Sequence, residues 1–185
     1  MKKLMIAAAL VCAAVISQAA SVDWNVSNNW TLSDGSSKAA KNTLVYLING
    51  DTSLDTIAAA VSAGNITEQS WFYGSALTSN TKGAVAQTTA TSDNLARNQQ
   101  YNFSALMVDG DKYMVSDMFA QFAYLNGTDE ATTLSITTDL LNANAQTAGL
   151  PGAQNGWATA AVPEPTSAML LLLGVAGLAL RRRRA

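Results

Sequence analysis

The amino-acid sequence predicts a mainly β fold, an antiparallel two-layer sandwich into which one helix is inserted. Three observations predict it. Near the start, apolar and polar residues alternate as Val22, Trp24 and Val26, the period of a strand with one buried face. Two apolar runs, Tyr101 to Val108 and Lys112 to Phe119, flank Asp109-Gly110-Asp111, and Asp-Gly is a favoured pair for a tight hairpin turn. One stretch carries a clear helical stripe. Leu54, Ile57, Ala58 and Val61 follow a capping residue at Thr52 or Ser53 and precede Gly64, which suits a left-handed helix end. An α+β layer fold is the alternative assembly of the same elements.

The remaining elements follow in chain order. Asp34-Gly35 is a turn, and Thr43 to Ile48 is a strand stopped by Asn49-Gly50. After the helix, Trp71-Phe72-Tyr73 before Gly74 and the stretch Gly83 to Thr91 are expected strands. Thr132 to Thr138 adds a last strand and Asp139 to Gln146 a short helix. Residues 147–161, containing Gly, Ala and Pro, are expected to be a linker. The β domain is therefore expected over residues 20–146, and no internal repeat is visible.

Composition narrows the chemistry. The chain has 185 residues, and setting aside roughly 20 at each end leaves enough for one domain with a single core. Of its 11 basic residues, Lys2, Lys3 and Arg181 to Arg184 lie in the terminal segments, whereas all 13 acids lie between residues 20 and 165. So acidic a domain repels phosphate backbones and excludes nucleic acid as a partner. There is no His, and Cys12 is the sole cysteine. Serine–histidine–aspartate and cysteine–histidine catalysis are excluded, as are His- and Cys-ligated zinc and copper sites. Carboxylate chemistry, serine–lysine chemistry and oxygen-ligated calcium survive.

Both ends read as addresses. Met1-Lys2-Lys3 is a short basic segment, Leu4 to Ile16 is apolar, and Ser17-Gln18-Ala19 puts small residues at the −3 and −1 positions before a cut at Ala20. Residues 1–19 thus form a signal peptide with a helical apolar part, served by export machinery and a signal peptidase. At the other end, residues 162–185 read Val162-Pro163-Glu164-Pro165-Thr166-Ser167, an apolar run Ala168 to Leu180, then Arg181-Arg182-Arg183-Arg184 and Ala185. Two prolines around a glutamate fit neither helix nor ladder, so the tripeptide is held extended and exposed. The apolar run is a short transmembrane helix in the inner membrane, marginal as a permanent anchor. Arg181, Arg182, Arg183 and Arg184 form a stop-transfer block that prefers the cytoplasmic side.

This order of motif, apolar run and basic tail closely resembles the PEP-CTERM sorting signal. The same tail is also classified as an ice-binding protein C-terminal domain, a name that describes the tail alone. The resemblance implies that Pro163, Glu164 and Pro165 are recognised by an exosortase in the inner membrane of a Gram-negative bacterium. It further implies cleavage near them and release or attachment at the cell surface, often in bacteria that make exopolysaccharide and biofilm.

Between the two addresses, site candidates are weaker. Asp109, Asp111 and Asp117 could hold calcium if their oxygens converged, but an ordinary hairpin turn explains them better and no metal is expected. Trp24, Trp30, Trp71 and Trp157 could stack on sugars if exposed, although at strand spacing aromatics usually form core. The expectation is an exported structural or adhesive surface protein, not an enzyme, with no cofactor. A carbohydrate-binding module and a carboxylate-dependent hydrolase are the alternatives.

Overall fold

The computed structural model describes residues 19–27, 29–125 and 132–160. The apolar helices expected within residues 1–19 and 162–185 fall outside the described residues. Among the described residues, nine strands and one α-helix follow in order: β1 (Ala20–Val26), β2 (Leu44–Asn49), α1 (Leu54–Ala63), β3 (Phe72–Leu77), β4 (Val85–Ser92), β5 (Gln100–Asp109), β6 (Lys112–Val115), β7 (Phe119–Phe122), β8 (Leu134–Ile136) and β9 (Ala158–Thr159). They form a three-stranded sheet of order β4-β1-β8 and a larger one of order β3-β2-β5-β6-β9, with β7 also on β5. The fold is mainly β, as expected.

One buried cluster lies between the sheets. It joins Val22, Trp24 and Val26 of β1 and Leu134 and Ile136 of β8 to Val45 and Leu47 of β2 and Phe103, Ala105 and Met107 of β5. Because side chains alternate along a strand, Ile48 of β2 and Leu106 of β5 face the other way. They meet Ile57, Ala58 and Ala60 of α1 in a second cluster, completed by Tyr113, Val115, Ala158 and Ala160. The large sheet is thus the middle of three layers. This explains why β2 and β5 read as nearly unbroken apolar runs, whereas β1 alternates.

The helix forms where the local pattern places it. Ser53 accepts the Thr56 backbone N–H, and Gly64 closes the helix at φ 67°, a conformation that glycine adopts without the Cβ clash. A cap of this kind stabilises by about 1 kcal/mol. A second glycine has a packing reason. A Cβ on Gly74 would lie 2.8 Å from the Ala90 Cβ, so β3 can approach β4 of the other sheet only because that atom is missing.

Four details differ from the sequence reading. The second hairpin arm is not one strand from Lys112 to Phe119. Val115 stands opposite Leu106, but Phe119 stands opposite Phe103, so one extra residue bulges between β6 and β7. Ser116 fills it, exchanging hydrogen bonds with the Ala105 backbone at 2.9 Å through both its own N–H and its hydroxyl. Second, β8 runs parallel to β1, because it arrives by a long connection and not by a hairpin. Third, the expected helix over 139–146 is a series of 3-10 turns at Thr138–Leu140, Asn142–Asn144 and Gln146–Gly149. Asn142 adopts φ 53° and its carboxamide oxygen accepts the Thr31 hydroxyl at 3.1 Å, which breaks helical continuity. Fourth, residues 147–160, expected as a linker, are packed into the fold.

The aromatic part of the inner core makes alkaline pH a test of this packing. Tyr73 sits 5.4 Å from the Phe103 ring and is only 5% exposed. Its phenol is pushed up to about 12, first by burial and then by the neighbouring Tyr101 and Asp51. Tyr46, Tyr113 and Tyr124 are also raised, each chiefly by burial. The unfolded chain therefore loses these protons first, so the linked stability is complete below pH 10 and is lost as pH rises from 10 to about 12. In an alkaline titration the phenolate absorbance of Tyr73, isolated by difference against Tyr73→Phe, should appear together with loss of the β-sheet circular dichroism. Ionisation near pH 10 in a still folded protein would contradict the buried placement.

Candidate functional site

The segment that leads to the C-terminal motif is built from residues that sequence reading assigned to a linker. Thr147 is fully buried, accepts the Val115 N–H at 3.2 Å and donates to the Gly156 carbonyl. Gln154 and Trp157 exchange backbone hydrogen bonds at 2.9 Å, which folds the chain back on itself. Trp157 is 2% exposed. Its indole N–H donates to the Thr31 carbonyl at 2.8 Å and its ring lies 6.3 Å from that of Trp30, which itself donates to the Gly83 carbonyl at 2.7 Å. Two indoles with satisfied N–H groups form a dense apolar anchor.

Beyond the anchor the chain joins the large sheet. Ala158 pairs with Tyr113 and Thr159 with Lys112, and the Ala160 N–H donates to the Asp111 carbonyl at 2.8 Å. Ala158 and Ala160 are 3% and 2% exposed. The small side chains let β9 lie flat in the second cluster beside Tyr113 and α1. Ala160 is the last described residue and is held by both packing and a hydrogen bond. Pro163, Glu164, Pro165 and Arg181 to Arg184 lie outside the described residues.

The carboxylates expected as calcium candidates are not brought together. Asp109 accepts the Ser33 hydroxyl at 2.5 Å and its backbone N–H at 3.2 Å, while Asp117 lies past the Ser116 bulge and its carboxylate caps the Met118 N–H at 2.8 Å. Among the described residues no group of three acids could hold a metal ion. Neighbouring Asp34 is held down at about 2 by the Ser37 hydroxyl and the backbone N–H groups of Ser36 and Ser37, an ordinary turn function. The tryptophan platform is also absent. Trp24, Trp30, Trp71 and Trp157 are all buried, because each serves the core on its inward face.

A polar surface that sequence reading missed lies on the outer face of the small sheet. Asp23 accepts hydrogen bonds from the Thr89 hydroxyl at 2.5 Å, the Tyr124 phenol at 2.8 Å and the Gln87 amide at 3.5 Å. On either side of it, the Ser21 and Thr91 hydroxyls pair at 2.8 Å and the Asn25 amide donates to Ser135 at 3.2 Å. The only signal was the polar half of the β1 alternation, Ser21, Asp23 and Asn25. Nothing local identified partners more than sixty residues away.

Residues 20–160 thus include a β domain whose last described residue, Ala160, is buried and hydrogen-bonded to the large sheet. The family model of the PEP-CTERM protein-sorting motif matches residues 161–184, so the chain carries this sorting motif, which begins one residue after Ala160. The motif implies export, processing by an exosortase and sorting toward the cell surface in Gram-negative bacteria. Among curated proteins and solved structures, nothing matches the chain.

The anchor has a measurable weight. Trp157→Ala should destabilise the domain by about 3 to 5 kcal/mol, the range for emptying a large aromatic site, read as a lowered urea midpoint with an unchanged slope. Limited proteolysis should then cut within residues 147–160 of the variant and spare them in the parent protein. Equal stability of parent and variant would mean that this segment is not part of the folded unit.

Proposed function

We propose that the exported domain is a structural or adhesive component of the cell surface or extracellular matrix, not an enzyme. Delivery runs through Pro163, Glu164 and Pro165 as the exosortase recognition residues, with Arg181 to Arg184 retained on the cytoplasmic side of the inner membrane. The observation that carries the reading is the junction at Ala160, where a closed, packed domain meets a sorting motif without an intervening spacer. Such a chain is suited to placing one rigid body at the surface. The carboxylates support the same reading. Asp23, Asp34, Asp51 and Asp109 accept hydrogen bonds from neighbouring strands and turns, which employs them in holding the fold, whereas a glycosidase needs a facing pair turned toward a substrate.

Glu164→Ala or Pro163→Leu should leave export intact and block removal of the C-terminus in a host with an exosortase. Neither change touches the front signal, the apolar run or the arginines. Mass spectrometry of the surface-released protein is the check. Wild-type protein that still carries Arg181 to Arg184 at the surface would mean the tail is a plain anchor.

A second reading, carbohydrate binding, is favoured by the outer face of the small sheet. The exposed Gln87 amide and Thr89 hydroxyl lie against the Asp23 carboxylate there, with Thr91 and Asn25 on the flanks, and sugar hydroxyls both donate to and accept from such groups. The acidity of the domain selects neutral over anionic polysaccharide. If this reading holds, residues 20–160 should be retarded in a gel containing a neutral exopolysaccharide, and Asp23→Ala should abolish the retardation at a temperature where circular dichroism shows its β-sheet signal retained despite the lost Thr89, Tyr124 and Gln87 contacts. Retardation that is unchanged in Asp23→Ala would place the contact elsewhere.

A further inference from the structure

We propose that β9 is a detachable tether, and that the exosortase must peel it from the large sheet to process the chain. The inference rests on the exosortase reading above. A protease or transpeptidase binds its substrate as an extended strand over several residues on each side of the bond it breaks. With processing near Pro163 to Pro165, a stretch of only four residues reaches back to Ala160. That residue is 2% exposed and its N–H is bonded to the Asp111 carbonyl. At a full reach of about 3.4 Å per residue, three residues beyond Ala160 span at most roughly 10 Å, and a folded domain attached that close competes for the space an enzyme cleft needs.

The local construction suits peeling. β9 has two residues, lies at the end of the sheet order and pairs with β6 alone. Its apolar contacts are made by alanines, which offer little surface to lose. Peeling also has a natural limit at Trp157, which is tied to Thr31 and Trp30 rather than to β6. Releasing residues 158–160 lengthens the free chain by about 10 Å and leaves the anchor in place. Trp157 is thus a positioning residue that fixes how far the motif extends from the domain.

Pinning the tether tests this. Lys112 and Thr159 stand directly opposite each other, and Cys12, the only native cysteine, lies in the expected signal peptide. The full-length Lys112→Cys/Thr159→Cys variant can therefore be oxidised to one cross-strand disulfide, verified by thiol labelling, in a host with an exosortase. The oxidised protein should be exported yet lose its tail at least tenfold more slowly than wild type. Reduction should restore the rate, and so should a ten-residue Gly-Ser insertion between Ala160 and Ala161 in the oxidised form. Processing of the pinned protein at the wild-type rate overturns the proposal, as does failure of the insertion to rescue it. Should the disulfide not form, the insertion in the otherwise wild-type chain is the readout: faster processing supports the tether and an unchanged rate overturns it. Wild-type protein that never loses its tail overturns the exosortase reading itself, and the tether with it.

Discussion

Because β2 and β5 lie in the middle of the large sheet, both of their faces must be covered, and this requirement organises the rest of the structure. On one side the small sheet supplies Val22, Trp24 and Leu134. On the other, one helix of ten residues and a short C-terminal segment supply Ile57, Ala60, Ala158 and Ala160. β5 carries the heaviest load, since it pairs with β2 along one edge and with both β6 and β7 along the other. The Ser116 bulge lets a single chain segment follow β5 over its whole length while turning Met118 and Phe119 outward.

The unusual composition follows from stabilising this arrangement without disulfides. Residues 20–160 have few charges and many asparagines, and five of them, Asn29, Asn42, Asn98, Asn142 and Asn155, hold left-handed backbone positions. Asparagine tolerates that conformation better than other non-glycine residues because its short amide can bond locally. Asn29, which opens one of the Asn-x-Ser/Thr triplets in the chain, is therefore explained by turn geometry. Several of the domain's acids are tied to side chains from distant parts of the chain, as Asp109 is to the Ser33 hydroxyl, Asp23 to the Thr89 hydroxyl and Asp51 to the Asn102 amide. Hydrogen bonds to charged groups contribute more than neutral ones, so a small number of acids spread over turns and the small sheet can fix loops that the hydrophobic clusters do not reach.

Elements with a local signature were legible in the sequence. The alternation at Val22, Trp24 and Val26 gave β1, the stripe between Ser53 and Gly64 gave α1, and Asp109-Gly110 gave the hairpin of β5 with β6. Elements fixed by distant partners were not. Residues 147–160 look like a linker because their apolar content is mostly alanine, with a single leucine and a single tryptophan, and nothing nearby reveals that Trp157 meets Thr31 across more than a hundred residues. The same holds for the parallel pairing of β8 and for the three donors gathered around Asp23. Leu141 and Ala145 have helical spacing and are buried, yet the Asn142 contact to Thr31 turns their segment into separate 3-10 turns. The sorting motif was legible for the opposite reason, since its parts act on membrane and enzyme in chain order and need no tertiary partner.

The two ends of the domain differ in a way that sets the order of events during biogenesis. The expected signal-peptidase cut precedes Ala20, which is fully buried and donates its N–H to the Leu95 carbonyl. β1 is the central strand of the small sheet, paired with β4 over most of its length and with β8 at its far end. Freeing Ala20 for a peptidase after folding would break the start of a ladder whose residues also fill the main core, at about 1 kcal/mol net for each hydrogen bond and considerably more for the buried side chains. Cleavage at the expected site would therefore belong before the small sheet closes, on a chain still emerging from the membrane. The rear end carries a smaller penalty, because β9 is a two-residue edge strand seated by alanines. A domain can fold completely, remain held by its tail and still present its motif, which fits a sorting step that acts on the finished body rather than on the nascent chain.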